Sequence, residues 1–172
     1  MSARSAARRA ARYVCAVTLG AVATLGAAPQ ASAKVPPGDY RIVTFSGLCW
    51  EDNGLIKQQP CDPDNEDQVF NIMSPYSQAQ SVRTATGECL DSWGEYEFDN
   101  IYSVRCEWDS YDQEFTFQPL DNGKYRIAPD GVNRHSCLDV FLHHATPGAP
   151  IVSGPCWGIG KETQQFELVR VG

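Results

Sequence analysis

Six of the seven cysteines fall into three pairs, Cys49 with Cys61, Cys89 with Cys106 and Cys137 with Cys156. Thiols at such spacings form disulfides or hold a metal. No Cys–His spacing suited to zinc survives once these cysteines are bridged. Asp62, Asp64, Glu66 and Asp67 form a second candidate set, for calcium. Pro63 and the lack of a glycine at the required turn break the calcium-loop pattern, so the segment reads as a solvated acidic loop. Catalysis needs convergent groups. His135, Ser136 and Asp139 are neighbours in sequence, which rarely gives a nucleophile–base–orienter geometry, and no nucleophile elbow is present. Glu95 and Glu97 share one loop, whereas glycoside hydrolysis requires two carboxylates held across a cleft. The chain therefore reads as a non-enzyme without metal or cofactor.

The ends and the composition narrow the class. Arg4, Arg8, Arg9 and Arg12 precede an apolar run from Tyr13 to Ala28, and Ala31-Ser32-Ala33 follows as a small-residue cleavage pattern. This is the form of a secretory signal peptide over residues 1–33. The apolar run falls short of the length that spans a bilayer. Cys15 precedes most of that run, unlike a lipid-anchored cysteine, and leaves with the leader. Six cysteines then remain, an even number that in an exported protein points to disulfides. The leader carries four arginines and no acids, so its removal moves the formal charge from −7 to −11. So acidic a chain lacks the basic surface that nucleic-acid recognition needs and is poorly attracted to anionic membranes. The expectation is an extracellular protein with one domain over residues 34–172, a monomer.

The cysteine pairs belong to a larger pattern. Each is followed by Gln and Phe: Gln68-Val69-Phe70, Gln113-Glu114-Phe115 and Gln165-Phe166. Threefold self-similarity at this period signals a repeat architecture, because one copy is too short to bury its own core. The repeats span about 38–78, 79–122 and 123–172. Their length variation is confined to the loop inside each Cys pair, where a folded repeat tolerates insertion. The repeat thus selects Cys49–Cys61, Cys89–Cys106 and Cys137–Cys156 as the bridges. Short runs such as Tyr40-Arg41-Ile42-Val43 and Phe115-Thr116-Phe117 alternate apolar and polar residues between Gly, Pro, Asp and Asn clusters, which predicts half-buried strands. The fold class is all-β. Three strand–hairpin–strand units suit a closed threefold barrel capped by hairpins, since closure removes exposed sheet edges.

Cys89-Leu90-Asp91 and Cys137-Leu138-Asp139-Val140 resemble the Cys-Leu-Asp opening of the ricin B-type lectin repeat. The endings at Gln68, Gln113 and Gln164-Gln165-Phe166 are similar to that family's Gln-x-Trp signature, with Phe in place of Trp. The resemblance covers about Gly38 to Val171 and implies a β-trefoil. It further implies shallow sugar pockets, in which the Asp accepts hydrogen bonds from sugar hydroxyls and a ring before the second Cys stacks on the sugar face. An Asn beside the final Gln completes the contacts. Carried onto this chain, the implied sugar-binding carboxylates are Asp139 and Asp91. His143 is the ring partner for the first, on a loop that also holds Phe141 and His144, with Trp157 after the second Cys as the other ring. Tyr102 or Trp93 is the partner for the second, on a loop that also holds Tyr96 and Phe98. Gln164 stands where the Asn is expected.

The departures are as informative. Gln59, Val104 and Gly154 occupy the stacking positions, and Asp67 and Asp112 replace Asn in the first two repeats. The first repeat also has Trp50-Glu51 where Leu-Asp is expected, so no sugar site of standard geometry is predicted there. Gln68, Gln113 and Gln165 are read as structural amides, each tied to a core ring, Phe70, Phe115 or Phe166. The partner implied by the resemblance is a glycan or polysaccharide, held weakly and through several sites together. A protein partner is the open alternative, because the same fold also carries protease inhibitors; the proline-stiffened Thr146–Pro150 stretch is the loop such a role would use.

Overall fold

The computed structural model describes residues 34–74, 79–93, 98–107, 109–130, 135–158 and 161–172. The expected leader with its Cys15, and Glu95, Tyr96 and Glu97, lie outside the described residues. The first repeat supplies β1 (Gly38–Val43), β2 (Cys49–Glu51), β3 (Lys57–Gln59) and β4 (Phe70–Met73). The second supplies β5 (Ser81–Arg83), β6 (Cys89–Asp91), β7 (Asp99–Asn100), β8 (Tyr102–Val104) and β9 (Phe115–Pro119). The third supplies β10 (Tyr125–Pro129), β11 (Ser136–Val140), β12 (Ile151–Pro155) and β13 (Glu167–Arg170). Among the described residues the only helical segments are single 3₁₀ turns. None is long and apolar enough to cross a membrane.

Alternation along the strands decides what faces the axis. Tyr40 and Ile42 on β1, Phe70 and Ile72 on β4, and Phe115 and Phe117 on β9 are buried, while the residues between them are partly exposed. Antiparallel pairing carries these faces round a ring. β13 joins β1 (Leu168 opposite Ile42), β1 joins β4 (Tyr40 opposite Phe70), and β4 joins β5 (Ile72 opposite Val82). Gln80 then pairs with Phe115 at the start of β9, β9 joins β10, and Tyr125 pairs with Phe166 to return to β13. The hairpins β2–β3, β6–β8 and β11–β12 cap the barrel. Three equivalent thirds closing one barrel under hairpin caps make a β-trefoil.

The caps interlock at the pseudo-threefold axis. Ile56 N–H donates to Ile101 O (2.9 Å), Ile101 N–H to Ile151 O (3.0 Å) and Ile151 N–H to Ile56 O (2.9 Å). All three isoleucines are fully buried, so these backbone groups are paired where water could not serve them. Above them Trp50, Leu90 and Leu138 hold equivalent core positions. Trp50, a departure from the repeat in sequence, fills the same place with a larger ring and meets Phe70 and Phe166 edge-on at 6.0 and 5.1 Å. Each bridge falls within one repeat, Cys49–Cys61, Cys89–Cys106 and Cys137–Cys156, as the repeat predicts. Gly47 and Gly87 end the matching turns into β2 and β6 with φ of +77° and +86°, a conformation that disfavours side chains bearing a Cβ.

Because Phe166 sits in the core against Trp50 with no exposed surface, Phe166→Ala should lower unfolding stability by about 3–5 kcal/mol. A shift of the urea midpoint at constant slope measures it.

Candidate functional site

On each first cap strand the middle residue (Trp50, Leu90 or Leu138) enters the core, which turns the residue after it outward beside the second cysteine of the pair. That outward residue is a carboxylate in all three repeats: Glu51, Asp91 and Asp139. A 3₁₀ turn then delivers one glutamine to it: Glu66–Gln68, Tyr111–Gln113 and Glu162–Gln164. The amide Nε2 of Gln68 donates to Glu51 Oε2 (3.0 Å), that of Gln113 to Asp91 Oδ2 (3.1 Å) and that of Gln164 to Asp139 Oδ2 (3.1 Å). The same Nε2 also donates to the carbonyl just before the second cysteine, on Pro60, Arg105 and Pro155. Each Oε1 accepts the N–H just after that cysteine, from Asp62, Glu107 and Trp157. One buried amide per repeat thus satisfies the backbone on both sides of a bridge and aims a carboxylate.

The third repeat corrects the sequence register by one residue. Gln164, expected at a ligand-contact position, is the structural amide; it is fully buried with both amide hydrogens and its oxygen paired. Gln165, expected in that role, instead accepts from Asn122 Nδ2 at 2.8 Å. Thr163 therefore stands where Asp67 and Asp112 stand in the other repeats.

Asp91, itself buried, lines an open cavity of about 350 Å³ together with Trp93, Val104, Arg105, Glu107, Ser110, Asp112 and Gln113. Trp93 is the well-exposed ring among these lining residues. Burial raises the pKa of Asp91 above 3.8, the Gln113 hydrogen bond opposes that rise, and the neighbouring charges of Asp112 and Glu107 add to it. The carboxylate is thus held in a partly desolvated, electronegative place, where a hydroxyl donor forms a charge-assisted hydrogen bond. Tyr102 lies opposite Asp91 in the β6–β8 pair. Its ring lines not this cavity but an adjacent one.

Asp139 is buried more deeply. His143 Nε2 lies 3.8 Å from its Oδ2, so the structure brings these two predicted partners together. Oδ1 is buried without a hydrogen-bond partner among the described residues. Leu142 and His143 adopt φ of +50° and +59°, uncommon for residues with a Cβ, in the turn that carries the imidazole over the carboxylate. The ring absent at Gly154 is answered from another repeat: a Cβ built on Gly154 would lie 3.2 Å from Phe98 Cδ1 and Cε1. In the first repeat Glu51 Oε2 accepts from Asn65 Nδ2 (2.9 Å) as well as from Gln68.

Among the described residues the other candidate chemistry is not assembled. Ser136 and Asp139 are an odd number of residues apart on β11, so they face opposite sides. Asp62 Oδ1 accepts from Asp64 N–H and Asn65 Oδ1 from Asp67 N–H, turn-capping roles within the acidic loop. Among the described residues no three His, Cys, Asp or Glu side chains are grouped to hold a metal ion. Sequence reasoning missed Gln58, fully buried, whose Nε2 donates to His144 O (2.7 Å) and Thr146 O (2.9 Å) and so fastens the third repeat to the first.

No protein-family model matches the chain, and no curated protein sequence matches it. Solved structures do. The designed threefold-symmetric protein ThreeFoil is similar at a TM-score of 0.70 and 18% identity, over 78% of this chain and 99% of that one. The Rhizoctonia solani agglutinin is similar at 0.67 and 12%, over 81% and 99%. The exo-β-1,3-galactanase 1,3Gal43A from Clostridium thermocellum is similar at 0.67 and 21%, over 78% of this chain but 30% of that one. At such identities the likeness is one of fold, and it agrees with the β-trefoil traced above.

Gln113→Leu removes the one hydrogen bond that opposes the rise of Asp91's pKa, so a carboxyl-detected NMR titration should find that pKa higher still. Because the folded-state pKa is already raised, the charged form burdens the fold at neutral pH, and that burden is shed progressively as pH falls from the raised value to below the ordinary one of 3.8. The stability of Asp91→Asn relative to wild type should therefore be greatest near neutrality and decline on acidification, as read from urea midpoints at each pH.

Proposed function

We propose that this β-trefoil is a secreted, non-catalytic carbohydrate-binding module of the ricin B type. Residues 1–33 are a signal peptide and 34–172 the single functional domain, with repeats over about 38–78, 79–122 and 123–172. Three disulfides fit an oxidising, extracellular location. The observation that carries the reading is the second-repeat site: a carboxylate hydrogen-bonded by Gln113 and an exposed indole line the same open cavity. Hydroxyls of a sugar donate to Asp91 while its apolar face meets Trp93. Asp139 with His143, 3.8 Å away, forms a second, more enclosed site. The neighbours named as an agglutinin and an exo-β-1,3-galactanase accord with a carbohydrate-related role.

The inhibitor alternative has less support. Gln58 N–H donates to Ala149 O, Gly148 N–H donates to Gln58 O, and Pro150 pairs with Lys57. The Thr146–Pro150 backbone is thereby engaged by the first repeat, whereas a protease cleft pairs with a free extended strand.

The domain is a monomer whose weak individual sites gain strength together on a polymer. A pull-down on insoluble polysaccharides and a glycan array test the reading. A retained glycan should be competed by free sugar. Asp91→Asn should weaken it about tenfold or more, since hydrogen bonds to a charged group are worth about 1.5–3 kcal/mol. Asp139→Asn should reduce retention on the polymer further. Binding should fade on acidification at a higher pH than an ordinary carboxylate would dictate, because Asp91 must be ionised to accept fully. Equal behaviour of wild type and both variants would overturn the proposal.

A further inference from the structure

A second cavity, of about 500 Å³, adjoins the one at Asp91, and Trp93 and Val104 line both. Its other walls include Phe98, Asn100 and Tyr102 from the second repeat and Gly54 from the first. Trp93, Phe98 and Tyr102 are 64%, 40% and 39% exposed, although none belongs to the buried core that the fold requires. Three rings left in water around one hollow are an unfavourable arrangement unless something covers them. Gly54 contributes no side chain, and a Cβ there would meet nothing within 4 Å, so the hollow stays open on that side. Asn100 Nδ2 and the Tyr102 hydroxyl, 3.3 Å apart, set polar groups among the rings.

The two hollows differ in kind. The first presents Asp91, Glu107 and Asp112 with Arg105; the second presents aromatic faces with Asn100, Ser103 and a single carboxylate, Asp99. A sugar chain matches the difference, because each ring in it has hydroxyl edges for carboxylates and C–H faces for aromatics. Building on the reading of Asp91 as a sugar acceptor, we infer that the adjoining cavities form one groove for an oligosaccharide. One sugar hydrogen-bonds Asp91 and meets Trp93, which lines both cavities, and the next one or two lie against Tyr102 and Phe98. The recognised unit is then at least a disaccharide.

The test is calorimetric titration of the chain with the monosaccharide and the di-, tri- and tetrasaccharides of the galacto-, xylo-, gluco- and manno-oligomer series, with tryptophan emission followed in parallel. In the series that binds, affinity should rise with length up to the trisaccharide and then level. Each ring engaged should contribute about tenfold. Tyr102→Ala should bring the ratio of trisaccharide to monosaccharide affinity down by about that factor. Phe98→Ala should do the same, and Tyr102→Ala serves alone should Phe98→Ala fail to fold through loss of its contact with Gly154. If wild type binds monosaccharide and trisaccharide equally while Asp91→Asn still abolishes binding, the groove is refuted and the Asp91 site stands. An unchanged ratio in Tyr102→Ala also refutes it. Binding in no series overturns both readings.

Discussion

No third of this chain can cover its own apolar face, and that constraint organises the molecule. A unit of about forty residues lacks the surface-to-volume ratio for a core of its own. The solution is closure: strands from all three units complete one barrel, and Ile56, Ile101 and Ile151 pass backbone hydrogen bonds in a ring beneath it. Once the axis is occupied in this way, the outer sides of the caps are the surfaces left for recognition. The disulfides secure those caps at their bases. The loop they enclose then changes length, with separations of 12, 17 and 19 residues, without disturbing the core.

The buried glutamines connect that framework to the sites. Gln68, Gln113 and Gln164 each satisfy backbone groups on both sides of a bridged cysteine, and the remaining amide hydrogen holds a carboxylate. An unsatisfied amide here would be expensive, so the interaction that orients the carboxylate is underwritten by folding itself. The first repeat keeps the arrangement with the longer Glu51, whose oxygen is shared with Asn65. Difference among the repeats therefore lies in what surrounds the carboxylate: an open cavity at Asp91, an imidazole at Asp139 and a second amide at Glu51.

Much of this was legible in sequence because it is periodic. Three copies of one pattern fixed the strands, the bridges and the closed barrel, and Asp91 and Asp139 fall where the repeat puts them. The phase of the third repeat is ambiguous in sequence because Gln164 and Gln165 are chemically identical neighbours. The spacing to the core ring held the answer, since Gln164 precedes Phe166 by the same interval as Gln68 precedes Phe70. The rings were less legible for a different reason. Phe98 reaches Gly154 through the pairing of β7 with β12, a contact between repeats that no alignment of one repeat with another reveals. Likewise the size of Trp50 suggested divergence, whereas its position is that of an ordinary core residue.

The pairing of β1 with β13 has a topological corollary. Asp39 O accepts from Val171 N–H at 2.8 Å, and the Arg170 guanidinium lies 6.0 Å from the Tyr40 ring centre, so start and finish of the barrel are neighbours. The linear order of the chain is thus one of several ways to cut a loop. A circular permutant that joins these ends through a short linker and opens at the Asp121–Lys124 turn retains every strand pair described above.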